Sequence, residues 1–228
     1  SPFDSHSITI SSDAMGSFVI AGEGAGNAQS ALDTTAAGDA WDNGFTYTKM
    51  AGSSAAGSSI NYTLPTLMDD LSVSATYTPS GAARAATNAY AFTYTGIEGL
   101  SVSYGSGENG STTVATSADV TTMKGSYALG SFTAAYSNTE SDTGTGGTDE
   151  EMTSFKLSYT VTDNLSISYG EDTHETSGET VDEEFEAISV SYTTGGMTLS
   201  AAQYDASGLG NTAGVTGERW KLGASFAF

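Results

Sequence analysis

The stretch that most constrains the fold is Phe155–Gly170. Phe155, Leu157 and Tyr159 alternate with Lys156 and Ser158. A polar turn, Thr162-Asp163-Asn164, follows, and the alternation resumes with Leu165, Ile167 and Tyr169 against Ser166 and Ser168. Successive side chains of a strand point to opposite faces, so this is a tight hairpin with one apolar face and one hydroxyl-rich face. The unit recurs at Leu64–Tyr77, Tyr94–Gly105, Tyr127–Ser137 and Tyr192–Tyr204. The segments between the units are longer and carry acidic, Ser, Thr and Gly-rich centres. Short turns alternating with long loops describe an up-and-down antiparallel sheet.

The pattern predicts thirteen strands in one domain spanning residues 1–228: Ser7–Ser12, Ser17–Gly22, Ser58–Leu64, Leu71–Thr78, Asn88–Thr95, Leu100–Gly105, Asp119–Ala128, Ser131–Ser137, Met152–Thr160, Leu165–Gly170, Phe185–Thr193, Met197–Tyr204 and Glu218–Phe228. The second and third are separated by Glu23–Gly57, 35 residues without useful alternation. Loops that long in a compact structure are usually functional or disordered. A turn or two of helix fits only around Asn27–Leu32.

Composition narrows the function. The 228 residues carry 27 acidic and six basic side chains, a net charge of −21. Nucleic acid is excluded as a partner, because nothing here could replace phosphate counterions. With no cysteine, disulfides and thiolate metal sites are excluded. His6 and His174 lie far apart in polar stretches and read as solvated surface. Gly22-Glu23-Gly24-Ala25-Gly26 follows a strand but lacks the dinucleotide fingerprint, and a Glu stands where a phosphate would sit. Ser, Thr and Asp are so numerous that any proposed hydrolase triad would be chance. No run is apolar enough for a membrane helix, which leaves open a barrel whose strands carry about ten alternating residues each.

Two arrangements of the faces compete. In a soluble sandwich the apolar face forms a core and the hydroxyls meet water. In a membrane barrel the apolar face meets lipid and the hydroxyls line a wet lumen. Tyr94, Tyr159 and Tyr192 sit just before the short turns; Tyr77, Tyr104, Tyr136 and Tyr169 sit at the other strand ends. Leu, Val, Ile and Ala lie between them. Aromatics at both rims of an aliphatic band are the girdles of a barrel. The last stretch, Gly217–Phe228, puts Trp220, Leu222, Ala224, Phe226 and Phe228 on one face.

Ile8–Gly24 (ITISSDAMGSFVIAGEG), SSINYTLP with LSVSATY (58–77) and the terminal WKLGASFAF resemble the bacterial general diffusion porins, especially the strongly acidic type of alphaproteobacteria. The resemblance implies an all-β, antiparallel up-and-down transmembrane barrel in the bacterial outer membrane, passing small hydrophilic solutes without catalysis. It implies a homotrimer, with outer-membrane lipid, lipopolysaccharide and the barrel-insertion machinery as partners. It implies that residues 23–57 fold inward as a constriction loop, with Glu23, Asp33, Asp39 and Asp42 facing basic residues across the pore. Family members have sixteen strands, and even numbers are the rule. The expectation is therefore that the first three strands are lacking here. Phe228 would be the signal read during assembly.

Lys124, Lys156, Arg219 and Lys221 fall by parity on the hydroxyl face. A charge facing lipid at the midplane would cost about 2–4 kcal/mol, which alone could place them inside. Glu171–Glu186 holds eight carboxylates and Glu140–Glu151 five, read as solvated external loops. Carboxylates in flexible loops suit Ca²⁺, although no EF-hand spacing is present; no other cofactor is expected. These acids predict a cation-preferring mouth. The competing reading from another class is an acidic structural or adhesive surface β protein, an S-layer or phage-attachment module.

Overall fold

The computed structural model describes residues 6–23, 26–36, 45, 50, 52–53, 58–66, 68–81, 84–110 and 117–227. Among these, thirteen strands form one sheet: β1 (His6–Ser12), β2 (Gly16–Glu23), β3 (Ser59–Thr63), β4 (Leu71–Thr78), β5 (Thr87–Ile97), β6 (Leu100–Asn109), β7 (Ala118–Leu129), β8 (Phe132–Thr143), β9 (Glu150–Thr162), β10 (Leu165–Thr176), β11 (Glu183–Thr194), β12 (Met197–Ser207) and β13 (Thr216–Phe226). Each strand pairs with its neighbours in sequence. The fold class read from the hairpin repeat is the one observed.

Four of the tight connections, β5–β6, β7–β8, β9–β10 and β11–β12, take two residues each. Gly99 in the first of them adopts φ +77°, a left-handed conformation open to glycine without a Cβ penalty. At the opposite side the strands run on beyond the ends that their alternation predicts. The ladder between β10 and β11 runs from Leu165↔Tyr192 out to His174↔Glu183, well past the predicted ends at Gly170 and Phe185. Beyond the aromatic rim both faces are polar, so alternation fades while backbone pairing continues. Glu171–Glu186 is thus mostly strand, closed by a turn at residues 177–182, rather than a solvated loop.

Burial decides which face is which. The apolar set is the exposed one: Ile188 is 61% exposed and Leu222 80%, and Ile8, Ile20, Phe92, Phe132, Leu157 and Ile167 are exposed as well. The buried set is rich in hydroxyls, with Thr122, Thr139, Ser137 and Ser154 fully covered. Water-soluble folds bury the opposite set, so a sandwich with a Leu/Val/Ile core is ruled out. Rings stack along the apolar face at the rims. Phe18 lies 4.3 Å from its cross-strand partner Tyr62, and Phe132 4.4 Å from Tyr159. The Tyr62 hydroxyl donates to the Met15 carbonyl at 2.9 Å. Ring against aliphatic band with hydroxyl on a polar partner is the posture of an interfacial tyrosine.

The chain divides into two units. One comprises Ser1–Thr34, Ala51–Lys124 and Thr139–Glu150; the other comprises Thr35–Met50, Gly125–Asn138 and Glu151–Phe228. In the first, Ala28, Ala89 and Ala91 form a small buried cluster with Leu32 against it. In the second, Phe185 and Ala206 are buried with Phe45, Ala187, Tyr204 and Leu209 around them. Both clusters join the segment between β2 and β3 to the hydroxyl face.

Single cysteines test the assignment of faces. Ile188→Cys and Val190→Cys should react with membrane-permeant maleimides and resist charged ones. Ser189→Cys, one residue away on the other face, should react with charged reagents. Equal aqueous labelling on both faces would contradict it.

Candidate functional site

The site is the hydroxyl face where the described residues of the β2–β3 segment lie upon it. In the first unit the segment begins with a reciprocal cap. The Ser30 N–H donates to Asn27 Oδ1 at 2.7 Å, and the Asn27 N–H donates to Ser30 Oγ at 2.9 Å. The Ala31 N–H closes one turn on the Asn27 carbonyl. This is the reciprocal logic of a helix-start box, spent on a single turn where the sequence suggested one or two.

That turn is fastened to the wall by polar bonds. The Ala28 N–H donates to Thr76 Oγ1 of β4 at 2.9 Å. Gln29 is fully buried. Its Oε1 accepts from the Ser53 N–H, and its Nε2 donates to Thr122 Oγ1 of β7 at 2.9 Å. The Thr122 and Thr139 hydroxyls are 2.9 Å apart, and Thr139 Oγ1 donates to the Thr34 carbonyl at 3.4 Å. A hydroxyl has one proton, which orders the chain: Gln29 amide to Thr122, Thr122 to Thr139, Thr139 to Thr34. Each buried hydroxyl donates once and accepts once, and the segment holds both ends of the relay.

In the second unit the Ala36 N–H donates to Ser154 Oγ of β9 at 2.7 Å. The Phe45 ring lies 6.0 Å from the Phe185 ring. Nearby, His174 Nδ1 is 3.3 Å from Glu183 Oε2, both buried. Glu183 Oε1 accepts from the Gly210 N–H at 2.7 Å, and Asn211 Nδ2 donates to the Val181 carbonyl at 3.0 Å. His174 is therefore not solvated surface: its strand position on β10 turns it inward, where Glu183 meets it. Asp172 shares that face and is also fully buried. Sequence reasoning missed this trio, because the alternation that would have assigned their faces fades among the surrounding acids.

The predicted site residues divide as follows. Asp33 is exposed and its Oδ2 is 3.3 Å from Lys124 Nζ on β7. Such a half-exposed pair is worth about 0–1 kcal/mol, so it positions charge more than it stabilises. Lys124 is thus beneath the segment, paired with one of its acids, rather than across from it. Glu23 closes β2, with its backbone opposite His6. Lys156 is half-buried on β9, on the face of Ser154. Arg219 and Lys221 are exposed on β13, opposite Tyr204 and Ala202. Asp39, Asp42 and Phe228 lie outside the described residues. Among the described residues no group of three or more His, Asp or Glu is placed to hold a metal ion.

The acids beyond the rim are partly organised. Tyr169 donates to Glu171 at 3.0 Å and lies 3.2 Å from Glu186. In the turn between β8 and β9, Asp149 Oδ1 accepts from the Thr143 N–H at 2.8 Å and from its hydroxyl at 2.9 Å. Those two bonds, the backbone one foremost, hold the Asp149 carboxyl below its ordinary range. A depressed carboxylate contributes stability above its unfolded pKa and loses it as pH falls through the folded value. This turn should therefore loosen only in acid.

A sequence family described as Gram-negative porin matches residues 7–186. Among solved structures, a porin shares 14% identity at a TM-score of 0.63, over 97% of this chain and 80% of its own. The anion-selective porin of Comamonas acidovorans shares 14% at 0.67, over 97% and 77%. OmpT of Vibrio cholerae, an outer membrane protein solved in a trimer form, shares 21% at 0.52, over 89% and 69%. No curated protein matches the chain.

Thr122→Val keeps the side-chain shape and removes the middle of the hydroxyl relay. It should weaken docking of the segment by about 1–3 kcal/mol, the cost of leaving a buried amide unsatisfied, without loosening the strands. Proteinase K should cut between β2 and β3 faster in this variant than in the parent, with the strands equally protected.

Proposed function

The chain belongs to the Gram-negative porin family, and we propose that within it this protein is a cation-preferring diffusion pore whose selectivity is set on the β2–β3 segment. It is an integral outer-membrane β-barrel channel of that family. Solutes move down their gradients, and the family and fold are those of channels rather than enzymes.

The observation that carries the selectivity reading is the docking of residues 27–36 on the hydroxyl wall, with Asp33 held there by Lys124. A connection that lies on the inner face narrows the space beside it. The charges it carries then meet every permeating ion at short range. Residues 23–57 are on this reading the constriction loop, with Glu23, Asp33, Asp39 and Asp42 as its acids. Lys156, Arg219 and Lys221 supply the opposing charges on the wall, while Lys124 pairs with Asp33 beneath the segment. Net charge of −21 acts in the same direction over a longer range, weakened by salt. The Comamonas porin is anion-selective, so within this fold the sign of selectivity is a property of side chains.

The trimer form of the Vibrio protein supports a homotrimer here, with apolar outer faces shared between lipid and neighbouring subunits. Lipopolysaccharide is the other expected neighbour of the outer rim, and Phe228 the residue read during insertion.

Asp33, Asp39 and Asp42 changed together to Asn should move the zero-current potential in a salt gradient toward that of an unselective pore. Neutralising Glu175 at the end of β10 with Glu179 and Asp182 in the outer turn should act more weakly. Those residues are exposed or in an open turn, and screening at physiological salt operates within about 8 Å. A triple-Asn pore with parental selectivity, beside an outer-turn variant that loses it, would place the selectivity filter elsewhere.

A further inference from the structure

Three glycines on the inner face lie directly beneath side chains of the β2–β3 segment. Gly105 and Gly107 are on β6, opposite Ala91 and Ala89. A Cβ at Gly105 would stand 2.9 Å from Leu32 Cδ1 and 3.3 Å from Gln29 Cα. At Gly107 it would meet Ser53 Oγ and stand 3.1 Å from Gln29 Cβ, and it would also stand 2.9 Å from Ala89 Cβ on β5. In the second unit a Cβ at Gly217, on β13, would stand 2.7 Å from a Phe45 ring carbon. Gly223, on the same face of β13, differs: a Cβ there would meet Ser200 Oγ on the adjacent strand.

Glycine inside a strand weakens it and has no side chain to pack, and it marks places where another backbone or group approaches closely. None of these three has a left-handed φ, so the backbone does not require glycine there. At Gly105 and Gly217 what crowds a Cβ is the segment above, and at Gly107 it is the segment together with Ala89 of the adjacent strand. Ala89 and Ala91 extend the depression beside Gly105 and Gly107, and Leu32 fills it.

We propose that Gly105, Gly107 and Gly217 are positioning residues: they are seats that fix how closely the constriction loop lies against the wall, and thereby the free width of the pore. This rests on the constriction reading above and adds its determinant. A side chain inserted at a seat acts as a wedge, moving the loop off the wall and into the conducting path.

Gly105→Val, Gly107→Val and Gly217→Val, each in the full protein, test it. Valine suits a strand better than glycine, so the sheet is retained, as parental mobility on unboiled gels would report. Single-channel conductance should fall and flicker, and liposome swelling should slow most for the largest sugars. Leu32→Ala should restore conductance to Gly105→Val and fail to restore it to Gly107→Val, where the wedge meets Gln29 and Ser53. Parental conductance in all three valine variants, or no rescue by Leu32→Ala, would overturn the proposal. A parental protein that does not conduct would instead overturn the pore reading. The seats would then be decided by proteinase K: the loop should be cut faster in the valine variants, and equal cutting counts against them. Should a valine variant fail to assemble, Leu32→Ala in the parent leaves the strands untouched. It should also speed cutting, and unchanged protection would refute the seat at Gly105.

Discussion

Everything in this structure follows from one requirement: in hydrocarbon a backbone amide has no water to bond, so it must find a partner within the protein. Pairing each strand with its sequence neighbour meets that requirement along the interior of the sheet, with short connections. The ladder then fixes the faces. A slip of one residue between β10 and β11 would send Ile188 and Val190 inward and Ser189 outward. Ladder and alternation therefore enforce one another, and the apolar face is the outer one because lipid is the apolar solvent.

The inner face inherits what is left, hydroxyls and small residues, and this shapes how a long connection can settle on it. There is little apolar area to bury. The two clusters at Leu32 and Phe45 are small, so docking depends on polar bonds that are each modest in net worth. Specificity comes from completeness. Gln29 uses both ends of its amide, and Thr122 and Thr139 each give and receive one bond. A polar network of this kind orders a segment strongly when every member is satisfied and poorly when one is missing. The ion pair of Asp33 with Lys124 sits at its exposed margin, where water competes for both groups.

The thirteen strands were legible because period-two alternation is a direct record of two different solvents on the two faces. Their outer ends were not, since beyond Tyr169 polar residues stand on both faces and the alternation fades. For the same reason Asp172, His174 and Glu183 read as part of a solvated acidic run, although their register turns them inward. The long connection was legible as a connection set apart by its length alone. Its attachment was not: nothing in the order of residues says that Gln29 will meet Thr122 or that Phe45 will rest beside Gly217. The glycines were visible in the sequence yet silent, because a strand glycine acquires meaning only from what lies across from it. Lys124 was placed on the correct face, and its pairing with Asp33 needed the fold.

The attachment also sets a sequence of events in time. Hairpins between adjacent strands pair stretches that neighbour one another in the sequence. The loop is the exception. Ala28 reaches Thr76 across 48 residues, Gln29 reaches Thr122 across 93, Thr34 reaches Thr139 across 105 and Ala36 reaches Ser154 across 118. Its moorings do not exist until β4, β7, β8 and β9 have been laid down in turn. The docked segment is thus an early stretch of chain with a late appointment, fastened only as the strands that hold it are laid down.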